Sequence, residues 1–303
     1  MLTHKSLVRA ARAFCVGALA TLASTAPAVP ASAATLQVAC NEAALRSAID
    51  TANGTAARDT LNLSGGCVYR LTGALPDITS PIVINGSVAT ITRQTGASAF
   101  RILTVNGGDL TLRTTFVTGG DVRGGSGLAG AGGGIVVYDN GSLKLNTSVV
   151  TGNRAEFGGG ISVFSGSTAD VNASTFTGNH ATQNGGGIVN DGTVSVDATR
   201  FSTNSADGAG GAIASVGSLT VNASSLTNNQ AATGAGLANG VPNAGGGTSS
   251  VSASTISNNT AQGTNPGGIV NIGGSVTLRS TRAADNTPNN CLTGPSSVPG
   301  CAE

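Results

Sequence analysis

From Gly132 to Asn286 the chain repeats one phrase, and a fixed period of this kind limits the available folds more than composition does. Each copy opens on Gly-Gly-Gly-Ile or a close variant, runs through a short alternating stretch and closes on apolar-x-x-Asn. The openings end at Ile135, Ile161, Ile188, Ile213, Leu237 and Ile269, and the closing residues are Asn153, Asn179, Asn204, Asn229, Asn259 and Asn286. Successive openings lie 26, 27, 25, 24 and 32 residues apart. A unit this small cannot bury an apolar face alone, so its copies must stack as a solenoid.

Aligning the copies on the closing Asn produces columns. One reads Leu112, Leu145, Val171, Val196, Val221, Val251 and Leu278; two positions earlier stand Leu110, Leu143, Ala169, Val194, Leu219, Ser249 and Val276. Between them lie Thr111, Lys144, Asp170, Ser195, Thr220, Ser250 and Thr277. Two apolar positions flanking a polar one is the alternation of a strand with one face buried. A third apolar column holds Val150, Phe176, Phe201, Leu226 and Ile256. The expected architecture is therefore all-β: a right-handed parallel β-helix with about three strands per coil and about seven or eight coils, roughly 35 Å long at strand spacing. Asn153, Asn179, Asn204, Asn229 and Asn259 are expected to form a turn-making ladder, because Asn accepts left-handed backbone and its amides bond one another when stacked. The glycines supply turns that a β-carbon would obstruct. They do not read as a phosphate loop, since no strand–loop–helix context and no Lys-Ser/Thr follow.

The ends differ from the middle. Residues 1–33 read as a signal peptide: Lys5, Arg9 and Arg12, an apolar run from Phe14 to Leu22, then Ala31-Ser32-Ala33. The expected destination is secreted, with no transmembrane segment in the mature chain. Taking the three basic leader residues from the total of 15 leaves 12 against 14 acidic ones, so no basic surface remains for nucleic acid. Removing Cys15 leaves Cys40, Cys67, Cys291 and Cys301, which allow three pairings. As local pairs at the two ends, Cys40–Cys67 and Cys291–Cys301 are the expected bridges, each stapling a coil that lacks a neighbour on one side. Residues 34–81 read as an N-terminal cap. It holds a helix over Asn41–Asn53, with Asn41 as N-cap, Leu45, Ala48, Ile49 and Ala52 on one face and Gly54 at its end. The β-helix is expected over 82–287, with a loop insertion between Leu237 and Val251 and a stapled tail over 288–303.

The stretch Cys40…Leu45-Arg46…Ala48-Ile49…Tyr69-Arg70-Leu71…Leu75-Pro76-Asp77-Ile78…Ile82-Val83-Ile84-Asn85-Gly86 resembles the module of secreted bacterial β-helix proteins named for its Cys-Ser-Leu-Arg-Glu-Ala run. Here Leu45-Arg46 is followed by Ser47 rather than Glu. Gly210-Gly211-Ala212-Ile213, Phe176-Thr177-Gly178-Asn179 and Phe201-Ser202-Thr203-Asn204 resemble the repeats of polymorphic outer-membrane proteins. Val150, Leu226 and Ile256 replace the Phe elsewhere. The resemblance covers about residues 40–286 and rests on scaffold residues. It implies a secreted surface or extracellular scaffold with an adhesive role.

Parallel β-helices also include polysaccharide lyases and hydrolases, so chemistry must be sought in residues rather than in fold. Asn-Thr-Asp and Asp-Asp strings are absent and no two acids of the mature chain are adjacent. The mature chain has one histidine, His180. The best constellation is Arg154, Glu156, His180 and Asp207, which follow closing asparagines on three consecutive coils and should share one edge. The leading expectation is a non-catalytic, monomeric extracellular scaffold without cofactor or metal, meeting an extracellular protein or polysaccharide. The alternative is a pectate-lyase-like lyase or a glycoside hydrolase working along one face, with Ca²⁺ in the lyase case. The absence of Trp and the presence of only two Tyr argue against a sugar groove built from flat aromatic platforms.

Overall fold

A computed structural model describes residues 32–291 and 298–301. Residues 1–31 of the expected leader and most of the tail beyond Cys291 lie outside that range. The described chain is a parallel β-solenoid. A regular coil begins with a five-residue strand such as Thr168–Asn172, bends into a three-residue strand (Thr175–Thr177), passes a two-residue edge strand (His180–Ala181) and closes on a Gly-led strand (Ile188–Asn190). The long and three-residue strands share one bent sheet, so a coil has four strands on three sheets rather than three strands.

Register is continuous. Val171 stands between Leu145 and Val196, and Val196 between Val171 and Val221. Phe176 pairs with Val150 on one side and Phe201 on the other, and the two rings stack at 4.6 Å. All these side chains are fully buried. Each column is thus one apolar stripe within the tube, as strand alternation requires.

The number of coils exceeds the expected seven or eight. Long strands follow one another in register from Thr35–Val38 through Asp59–Leu63, Pro81–Arg93 and Asp109–Thr118 to Ser275–Arg279, making about ten turns. The two additional rungs are Thr35–Val38 and Asp59–Leu63. They carry no repeat wording because α1, Glu42–Asn53, occupies the coil between them. This helix is capped by Asn41, whose side chain accepts from the Ala44 N–H, and it lays Leu45, Ala48, Ile49 and Ala52 into the core. Its end at Gly54 keeps right-handed backbone. Arg46 fixes the helix to the adjoining loop by bonding Glu42 and the Gly73 and Ala74 carbonyls. Disulfides join Cys40 to Cys67 and Cys291 to Cys301.

Two polar files run through the apolar interior. In the first, Asn153, Asn179, Asn204, Asn229 and Asn259 are fully buried. The Oδ1 of Asn204 accepts from the N–H and Nδ2 of Asn179; its own Nδ2 donates to Asn229 Oδ1 and to the Phe176 carbonyl. The same pattern continues through Asn286 to Asn290. The asparagines are not the left-handed residues. That conformation belongs to the residue before each of them, Gly152, Gly178, Thr203, Asn228, Asn258 and Asp285. The Asn side chain is left to serve the backbone of the neighbouring coil.

The second file lies at the bend. Ser148, Ser174, Thr199, Ser224 and Ser254 each accept from the N–H of the equivalent residue one coil earlier. Each also donates to the carbonyl two residues back. The residue before each hydroxyl is left-handed, Thr147, Ala173, Ala198, Ala223 and Ala253. That turn disrupts regular strand pairing, and the hydroxyl satisfies the groups it frees. The sequence signal was present: a hydroxyl residue stands five positions before every closing Asn from Asn153 to Asn286.

Candidate functional site

The edge strands bring Arg154, His180 and Ser205 into one column, continued by Gln230 and Thr260. Arg154 therefore stands one coil from His180, and His180 one coil from Ser205, at about 4.8 Å per step. The His180 Nδ1 lies 2.9 Å from Ser205 Oγ, and its Nε2 lies 3.9 Å from Asp207 Oδ2. Asp207 is two-thirds exposed. Glu156, half-buried, forms no side-chain hydrogen bond or ion pair within the protein. Arg154 likewise has no carboxylate partner; Asp121, one coil below, is held by Arg123 at 2.7 Å. The Arg123 guanidinium lowers the Asp121 pKa.

Sequence reasoning placed Arg154, Glu156, His180 and Asp207 on this edge but missed Ser205, the nearest polar partner of the imidazole. Its signal was its position directly after the closing Asn204, in the same repeat position as Arg154 and His180. Ser205, His180 and Asp207 resemble a nucleophile–base–acid set only in composition. The carboxylate is beyond hydrogen-bond distance and exposed, whereas a triad acid is buried and bonded to the imidazole. The local backbone N–H groups already serve the coil ladder: His180 donates to Asn153 O, Ser205 to Asn179 O and Asp207 to Ala181 O. Those donors are not directed at an incoming oxyanion.

A second cluster surrounds Asp77. Asn106 Nδ2 donates to its carboxylate at 3.2 Å and the Tyr138 hydroxyl approaches at 3.5 Å. Burial, with the negative charge of Asp77 beside it, raises the Tyr138 pKa. A phenol held more firmly protonated is poorly suited to remove a proton from a sugar carbon. Nearby Arg101 is a clamp: its guanidinium bonds the carbonyls of Leu128, Ala131 and Gly132. Burial lowers its pKa.

Among the described residues, no three His, Cys, Asp or Glu side chains come together to hold a metal ion. No helix among them is long and apolar enough to cross a membrane. An apolar concavity lies away from the edge, over the Gly-led strands, where Phe157, Ser162, Phe164, Val189 and Asp191 line a groove of about 300 Å³.

No protein-family model matches the chain, and no curated protein matches it. Among solved structures it is similar to an alginate lyase from Paenibacillus sp. str. FPU-7. That similarity has a TM-score of 0.45 and 14% identity over 86% of this chain and 98% of the lyase chain.

Proposed function

We propose that this protein is a secreted β-helical scaffold that presents its coil surface to an extracellular protein or polysaccharide without turning it over. The observation supporting this reading is the unbroken Asn file. Buried amides on successive coils bond one another and the neighbouring backbone, which favours a stiff platform. The edge column beside it, Arg154–His180–Ser205–Gln230–Thr260, offers a polar surface at one side chain per coil. The resemblance to displayed bacterial β-helix repeats fits the same reading, as do the two disulfides, which suit an oxidising compartment.

The rival reading, a polysaccharide lyase or hydrolase, draws on the His180–Ser205 contact with Arg154 one coil away. Incubation with a panel of acidic polysaccharides separates the two, with unsaturated and reducing ends measured beside retention on the immobilised polymers and on cell surfaces. The scaffold reading expects retention without new ends. Turnover abolished by His180→Ala or Arg154→Ala would replace it with the enzyme reading.

A further inference from the structure

The groove over the Gly-led strands combines an apolar wall with polar groups the protein leaves unmatched. Its floor is the outward column Ser162, Val189 and Ala214, which are hydrogen-bonded in register on three successive coils. All three are buried, although they point away from the tube's core, because flanking loops rise beside them. Phe157 and the turn at Gly127–Gly130 stand on one side; Val241 and Ala244, from the insertion after Leu237, close the other. Phe164, Asp191 and Val216 follow one another up one wall, linked by the bonds from Asp191 N to Val163 O and from Val216 N to Asn190 O.

Three polar groups line this space. Ser162 is 2% exposed, yet its hydroxyl has no partner in the protein. Asn184 uses its Oδ1 to accept from the Ala209 N–H, and its Nδ2 has no protein acceptor. Asp191 stands exposed at the groove's rim and has neither a hydrogen bond nor an ion pair from any side chain. Although the residue is exposed, the apolar neighbours that partly desolvate its carboxyl raise the carboxyl's pKa, with no nearby cation to oppose the shift. A carboxylate between Phe164 and Val216, with no cation of its own, is matched by an incoming one. Phe164 lines the same groove and supplies apolar surface beside the carboxylate. The flanking apolar surface selects a cation with an apolar body, and a volume near 300 Å³ suits a small molecule.

We infer that this groove is a binding site for a small organic cation, an ammonium group on an apolar body, with Asp191 meeting the charge and Phe157, Phe164 and Val189 the body. Ser162 and Asn184 supply hydrogen bonds to polar substituents. The inference is independent of the edge column and of whether the protein turns over a polymer.

The probe is 4-phenylbutylammonium, compared with the neutral 4-phenylbutan-1-ol and the anionic 5-phenylpentanoate. Binding is followed by calorimetry and by amide shifts in isotope-labelled protein. The cation should saturate with shifts centred on Ser162, Val189 and Asp191. It should bind about tenfold more tightly than the alcohol, the scale of one partly desolvated charge contact, and the carboxylate should be weakest. Asp191→Asn should remove most of that difference while leaving the alcohol unchanged. Ala214→Phe, which fills the floor, should weaken both. Because the Asp191 carboxylate makes no hydrogen bond or ion pair within the protein, its variant tests the assignment even if Ala214→Phe unfolds. Equal binding of cation and alcohol, an unaltered preference in Asp191→Asn, or no saturable shift at these residues would overturn the inference.

Discussion

Asn204 illustrates what one side chain does in this fold. Its carboxamide serves two coils at once, accepting from Asn179 and donating to Asn229 and to the Phe176 carbonyl. Asn204→Leu keeps the branch point and heavy-atom count but leaves the Asn179 N–H and the Phe176 carbonyl buried without partners. At about 1–3 kcal/mol for each of the two orphaned groups, a loss of about 2–6 kcal/mol is expected in denaturant titration. A loss under about 1 kcal/mol would mean that water replaces the amide. The left-handed residues at the bend make a contrasting case. Ala223 has φ of 46° and is exposed. Ala223→Gly should be neutral or stabilising by up to about 1 kcal/mol, because relief of β-carbon crowding exceeds the added freedom of the unfolded chain. Ala223→Val should be destabilising at the same site, and a reversed order in thermal melts would contradict this account.

At the scale of elements, α1 is held by charge as well as by its apolar face. Burial alone would raise the Glu42 pKa, but bonds from the Thr72 N–H, the Arg46 guanidinium and the Thr72 hydroxyl together lower it below 4.5. A carboxylate whose folded pKa is depressed contributes stability that is complete above its unfolded value and disappears as pH falls through its folded value. The α1 region should therefore loosen below about pH 4.5, seen as faster amide exchange over 42–53. Glu42→Gln should be less stable at neutral pH and should flatten that dependence. An unchanged pH profile in Glu42→Gln would assign the loosening to other carboxylates. The Gly-led turns work through close approach instead. A β-carbon at Gly187 would sit 2.5 Å from the Ala212 carbonyl oxygen, and Gly185 is left-handed with its would-be β-carbon as close to Ile188 O. These glycines let one coil's turn lie directly on the next.

For the described coils as a whole, neighbour-only contact has two consequences. Removing residues 180–204 deletes one coil of 25 residues and places Asn179 where it can bond Asn229. The shortened chain should fold with an unchanged circular-dichroism signature per residue and a lower melting temperature. Failure to fold would show that coils are not interchangeable units. Replacing Cys40 and Cys67 by Ser should weaken the first coils by about 2–4 kcal/mol. Amide exchange should accelerate over 35–71 and stay unchanged over 161–221, because solenoid ends open locally. Uniform acceleration would indicate one cooperative unit.

Repetition made the coil legible from sequence. Equivalent residues recur at nearly constant spacing, so the alignment of repeats alone stacks Val171, Val196 and Val221 and brings Arg154 to His180. Local chemistry likewise marked α1, through a capping Asn and four apolar residues on one face. Tertiary structure alone decided the rest. The first two rungs pair across a helix that interrupts the repeat, and hydrogen bonding between distant strands leaves no mark in their own wording. The serine–threonine column recurs in the sequence, but its role depends on which backbone groups the bend leaves open, a property of stacked coils rather than of one coil. Asp191 looked like any other turn acid until Phe164, Val216 and two loops from elsewhere in the chain were assembled around it. Its environment is a sum over neighbours that sequence proximity does not specify.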